Sequence, residues 1–138
     1  TITTDVMTGF NEETEDDFNV TLSFIKEIGF EKVHTFPYSE RNGTSASKKG
    51  DNVSKPEKER RAALVIKTSD EIRQKFMNNQ VGKTVNVLIE SKKGNTYNGY
   101  TKNYIPVCIK SDKDLIGKEI EVTITEYDSN FDLCFASL

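Results

Sequence analysis

Residues 96–107 read TYNGYTKNYIPV. The segment alternates like a strand, and the turn residues Lys92, Lys93, Gly94 and Asn95 precede it. It carries Tyr97, Tyr100 and Tyr104, with Asn98, Asn103 and Lys102 between them. Aromatic rings interleaved with cations on a small sheet can stack on bases while neutralising phosphates. The competing reading is a barrel strand whose tyrosines half-bury their rings and hydrogen-bond at the rim.

Around this stretch the hydrophobic period is two. From residue 81 onward, 84–90, 96–104, 105–110, 119–126 and 131–135 read as five strands, with turns at 93–95, 111–114 and 128–130. Five short strands in so few residues predict a small antiparallel β-barrel, closed or nearly closed, of the OB or SH3-like kind. Gly82, Gly99 and Gly117 mark bends or bulges. Val85, Val87, Ile89, Ile105, Val107 and Ile109 are the expected core. Strict alternation puts Tyr100, Lys102 and Tyr104 on one face and Asn103 on the other.

The net charge of −3 argues against a uniformly basic nucleic-acid binder, but the charge is unevenly spread. Residues 81–110 hold five lysines and one acid, Glu90, whereas 111–138 hold two lysines and seven acids. One side of the barrel is therefore expected to be basic. No apolar run is long enough to span a bilayer, and no signal pattern opens the chain, so a cytoplasmic protein without membrane contact is expected. Cys108 and Cys134 are too few for a four-thiolate site and read as buried free thiols. His34, the only histidine, lies mid-strand and reads as a packed core residue. The chain opens on Thr1, directly in a β-like run, and reads as a piece of a longer protein.

Upstream, the pattern changes to strand, helix, strand. Residues 2–10 (ITTDVMTGF) are β-rich. Thr14 caps a helix with Asp17 at the capping-box spacing, and Phe18, Leu22 and Ile25 form its apolar stripe. Gly29 ends the helix, and residues 30–38 (FEKVHTFPY) form a second strand. Such a βαβ unit has parallel strands, with its chemistry gathered at their carboxyl ends. After a polar loop, a helix begins at Pro56 and runs to residue 79. Its Ala62, Val65, Ile66, Ser69, Ile72 and Phe76 share one side, and Arg60, Arg61, Lys67, Arg73 and Lys75 read as a solvated face. The expected division is 1–55, a linker helix over 56–80, and the barrel over 81–138. The fold class is α+β.

Several motifs stand in a characteristic order: TTDVMTGF with ET and DF behind it, FIKEIGFEKVHTFPYSERNGTSAS, the PEKERR helix, VGK, GYTKNYIPV and LIGKEIEVTITE. Together they resemble the C-terminal part of a radical-SAM methylthiotransferase. The HTFPYSERNGT and GYTKNYI forms are most similar to the branch that modifies threonylcarbamoyladenosine beside the tRNA anticodon. The resemblance implies that residues 1–55 are the end of a partial (β/α) barrel, and that residues 81–138 are a TRAM domain, an RNA-binding barrel. It also implies S-adenosylmethionine and two 4Fe–4S clusters in the full-length enzyme, tRNA (its anticodon arm) as partner, and the missing N-terminal part of the same enzyme as a second partner.

Cys108 and Cys134 do not match the cluster ligands of that family, so this chain alone is expected to hold no cofactor and to be inactive. Neither a catalytic residue nor a metal ligand is assigned. Where the family has Pro-Gly, this chain has Asn11-Glu12. The cofactor-side candidates are Gly9 and Phe10 at one strand end and Ser39 and Arg41 at the other, the latter two within a motif that includes Gly43 and Thr44. The planar fork of Arg41 suits a carboxylate or phosphate. The RNA candidates are Tyr100, Lys102, Asn103 and Tyr104, supported by Lys83, Lys92, Lys93 and Tyr97. The alternative is a barrel that docks on protein and touches no RNA.

Overall fold

A computed structural model describes all 138 residues. The chain divides into two compact units, residues 1–73 and 74–138. In the first, strand β1 (Thr3–Thr8) and strand β2 (Lys32–Pro37) pair in parallel, with Thr3 opposite Lys32 and Thr8 opposite Pro37. Helix α1 (Glu15–Ile28) joins them. Its start is the expected capping box. The Thr14 hydroxyl accepts from the Asp17 amide at 3.1 Å, and the Asp17 carboxylate accepts from the Thr14 amide at 2.9 Å. Gly29 ends it at φ 69°, in the left-handed region that a side chain disfavours.

Phe18, Ile25, Phe30 and Val65 form the core of this unit, with Val6, Leu22, Val33 and Ile72 packed on it. One face of the sheet is covered in this way. The other carries exposed Met7, His34 and Phe36. His34 is therefore not the packed core residue that its mid-strand position suggested, because alternation turns it away from the helices.

Helix α2 (Lys55–Asn78) crosses the division between the units. It is not a bare linker: Val65 belongs to the first core and Met77 to the second. Nor are its arginines merely solvated. Arg61 is buried and pairs with Glu13 at 2.6 Å and Glu57 at 2.9 Å. Arg60 pairs with Glu15 and Glu57, each at 2.6 Å, and Arg73 pairs with the buried Glu31. Arginine's fork suits such partly buried pairing.

In the second unit β3 (Thr84–Lys93), β4 (Thr96–Thr101), β5 (Pro106–Lys110), β6 (Glu119–Asp128) and β7 (Leu133–Ser137) close a barrel in the order β3-β4-β5-β7-β6. Four neighbouring pairs are antiparallel, but β5 and β7 are parallel. This corrects the purely antiparallel expectation. Directions cannot alternate all the way round a closed ring of an odd number of strands. Val87, Ile89, Tyr97, Ile105, Val107, Ile109, Val122, Ile124 and Cys134 fill the interior.

Strand β4 stops at Thr101, three residues earlier than the pattern suggested. The chain turns there. The Tyr104 amide donates to the Thr101 carbonyl at 2.9 Å, and the Ile105 amide donates to the Thr101 hydroxyl at 3.0 Å. A three-residue hairpin of this kind needs a left-handed residue at its end. Here that residue is Tyr104, at φ 61°.

Candidate nucleic-acid interface

The barrel's outer surface along β3 and β4 is shaped by one irregularity. The pairing register shifts between Ile89 and Ser91, which leaves Glu90 as a β-bulge. Opposite it, Ile89 pairs with Gly99 and Ser91 with Asn98. A side chain at Gly99 would collide with the Leu88 carbonyl oxygen, so only glycine lets the strands approach this closely. Before the bulge Leu88 stands directly opposite Tyr100, and both side chains are exposed on the outer face.

Two clefts flank Tyr100. One, about 300 Å³, is lined by Asn86, Leu88, Glu90, Tyr100, Lys102, Tyr104 and Glu119, among others. The second, about 580 Å³, is lined by Glu90, Ser91, Asn98, Tyr100, Pro106, Phe131 and Leu133, among others. Tyr100 and Glu90 belong to both. Tyr104 is 81% exposed and Phe131 79%. Large rings left this open are unusual on a small barrel, and the backbone strain at Tyr104 accompanies one of them.

Of the expected RNA residues, Tyr100, Lys102 and Tyr104 do meet, around one cleft. The turn brings them together, not the strand alternation proposed for them, since β4 has ended before Lys102. Asn103 sits in that turn, and its side-chain oxygen accepts from the Thr101 hydroxyl at 2.7 Å. Its role there is to shape the loop.

Tyr97 is a correction. It is 0% exposed, inside the barrel, and cannot stack on a base. Lys92 lies opposite it with its ammonium 5.0 Å from the ring centroid. The Tyr97 phenol beside it holds the Lys92 pKa above its ordinary value. Lys92 and Lys93 are at the hairpin end of β3, opposite Tyr97 and Thr96, about 10 and 13 Å along β4 from Tyr100. Lys83 reaches Gln80 at 3.4 Å. Lys102 is 3.7 Å from Glu119. The expected basic side therefore does not form one patch at the rings, because register spreads its lysines along the barrel. Leu88, Asn98 and Phe131 join the surface unforeseen. The Asp128 to Asn130 turn signal was visible, but nothing local marked Phe131 as outward.

The strand ends of the first unit form a different place. Ser39 and Arg41 line a cleft of about 240 Å³ with Met7, Phe36, Pro37, Tyr38, Thr44 and Ala46. Gly9 and Phe10 are not among its walls. A side chain at Gly9, φ 72°, would collide with the stem of Lys58, which is 4% exposed. The Lys58 ammonium lies 2.5 Å from the Asp51 carboxylate and donates to the Tyr38 carbonyl at 3.2 Å. Phe10 meets Tyr38 edge-on at 5.1 Å. Gly9 is thus glycine for the sake of a packed lysine.

At Asn11-Glu12 the chain keeps a tight turn without proline or glycine. The Asn11 side-chain amide donates to the Ala46 carbonyl at 2.6 Å, and Glu12 takes φ 63°. The cleft is smaller than the roughly 300–1,000 Å³ of ordinary ligand pockets. Cys108 and Cys134 do not fit a cluster. Both are buried in the barrel, paired to Phe135 and Val107 respectively, and burial pushes the Cys108 thiol up.

Residues 78–131 match the TRAM domain. Most of the chain is also similar to larger proteins. It is 36% identical over 128 residues to the threonylcarbamoyladenosine tRNA methylthiotransferase MtaB of Bacillus subtilis, covering 89% of this chain and 28% of that one. It is 40% identical over 129 residues to the tRNA-2-methylthio-N(6)-dimethylallyladenosine synthase of Oceanobacillus iheyensis, covering 91% and 25%. To the synthase of the same name from Staphylococcus haemolyticus it is 41% identical over 128 residues, again covering 91% and 25%. The chain spans about a quarter of the length of these relatives. The similarity to tRNA methylthiotransferases runs through both units, and the TRAM domain coincides with most of the barrel.

Proposed function

We propose that this chain is the C-terminal portion of a tRNA methylthiotransferase, and that its own contribution is to hold the anticodon arm of tRNA on the outer face of the barrel. The observation that carries the reading is the ring cluster at the β4 turn, where Tyr104 projects 81% exposed from a left-handed residue beside Tyr100 and Lys102. Stacking on aromatic faces suits unpaired bases of an RNA loop. The first unit continues the chemistry side, with Ser39 and Arg41 as one wall of the S-adenosylmethionine site. The clusters would be held by a further segment of the enzyme.

Relatives that act on threonylcarbamoyladenosine and relatives that act on dimethylallyladenosine match at comparable identity. The threonylcarbamoyladenosine assignment therefore rests on the HTFPYSERNGT and GYTKNYI forms.

The test is a fluorescence-anisotropy titration of an anticodon stem-loop at low salt. Weak binding is expected, and Tyr100→Ala or Tyr104→Ala should each weaken it about tenfold or more, the scale of a lost base stack. No binding, or binding indifferent to both changes, overturns the reading. Exposed Leu88 and Phe131 also suit a protein-docking face. In that case the same substitutions leave RNA unaffected but weaken association with the rest of the enzyme.

A further inference from the structure

Glu90 is out of place on a phosphate-binding surface. It sits at the bulge, exposed, and its carboxylate takes part in no side-chain ion pair or hydrogen bond. Its neighbour in charge, Glu119, is by contrast occupied with Lys102. Glu90 also lines both clefts that Tyr100 divides. Bulges re-aim a side chain, and this one delivers a carboxylate to the rim between two aromatic-walled grooves. An anion there repels phosphates, so an RNA strand lying across Tyr100 must turn its backbone away and its bases inward.

We infer that Glu90 reads base identity, selecting an unpaired guanine stacked on Tyr100. The inference rests on the RNA reading above and adds to it a specificity-determining residue. A carboxylate accepts hydrogen bonds only. On its Watson–Crick edge guanine presents two adjacent donors, N1–H and the N2 amino group, which match two carboxylate oxygens. Adenine and cytosine present one amino donor beside an acceptor nitrogen. Uracil presents a single N3–H flanked by two carbonyl oxygens, which the carboxylate repels. The expected order is guanine first, adenine and cytosine next, uracil last. The site therefore prefers single-stranded RNA with an unpaired guanine over uridine-rich RNA of the same length.

The test uses the full chain and short fluorescein-labelled oligouridines carrying one central guanosine, adenosine, cytidine or uridine, titrated by anisotropy at low salt. The guanosine oligomer should bind about tenfold more tightly than the all-uridine one, a modest value for a two-point base contact. In Glu90→Gln, whose amide can also donate, the difference should fall to about twofold or less while all-uridine binding improves. Equal binding of the four oligomers by the natural chain, or an undiminished guanosine preference in Glu90→Gln, overturns the inference and leaves RNA binding standing. Failure of the natural chain to bind any oligomer while it still binds an anticodon stem-loop overturns this inference alone, and failure to bind the stem-loop as well overturns the RNA reading and this inference with it.

Discussion

Single residues carry opposed demands in this barrel, and Tyr104 is the clearest case. A left-handed backbone costs a non-glycine residue roughly 1–2 kcal/mol, yet the ring gains no packing from being 81% exposed. Tyr104→Gly should raise the barrel's stability by about 1 kcal/mol, read from the denaturant midpoint, while weakening RNA binding. A Tyr104→Gly chain that is both more stable and equally good at binding RNA would show the ring to be incidental. Gly99 sits at the other extreme. Gly99→Ala forces a methyl group against the Leu88 carbonyl and should cost at least ~2 kcal/mol, or leave the barrel unfolded by circular dichroism. Gly99 was legible from sequence as marking a bend or bulge, and it lies opposite the bulge at Glu90. Tyr104 was legible as a candidate, but not as a strained residue, because the turn that strains it depends on the buried Thr101 hydroxyl.

At the scale of elements, local signals read best. The capping box of α1 is written in Thr14 and Asp17, and Thr14→Ala should lower the stability of the first unit by about 1 kcal/mol. The parallel β1–β2 pairing also followed from the strand–helix–strand order. Long-range ionic contacts did not show. Lys58 has the look of a surface lysine at the start of a helix, and only the fold reveals it packed against Gly9 and bonded to Asp51 and the Tyr38 carbonyl.

Helix α2 carries a pH dependence of its own. Hydrogen bonds from Arg60 first and Arg61 second lower the Glu57 pKa from an ordinary 4.5 to about 2. The folded pKa is depressed, so this contribution is fully present above about 4.5 and is lost as pH falls toward 2. The midpoint of the first unit should drop across that window, and Glu57→Gln should flatten the slope. An unchanged slope would place the acid sensitivity in other carboxylates.

At the scale of the molecule, the distribution of charge was legible and its geometry was not. Counting lysines showed an excess over residues 81–110, but a bulge and a register decide that Lys92 covers Tyr97 while Lys102 faces Glu119. Few lysines are left to neutralise phosphates at the rings. RNA affinity should consequently depend weakly on salt, with a log–log slope of about −2 or shallower. A much steeper slope would mean that the lysine-rich hairpin end is the contact surface.

The central claim is that RNA lies on the outer β3–β4 face at the rings. Amide chemical-shift mapping of the isotopically labelled full chain, titrated with an anticodon stem-loop, tests it most directly. The claim predicts the largest shifts at Leu88, Glu90, Asn98, Tyr100, Lys102, Tyr104 and Phe131. Shifts gathered instead at Lys83, Lys92 and Lys93, or confined to residues 1–73, would contradict it.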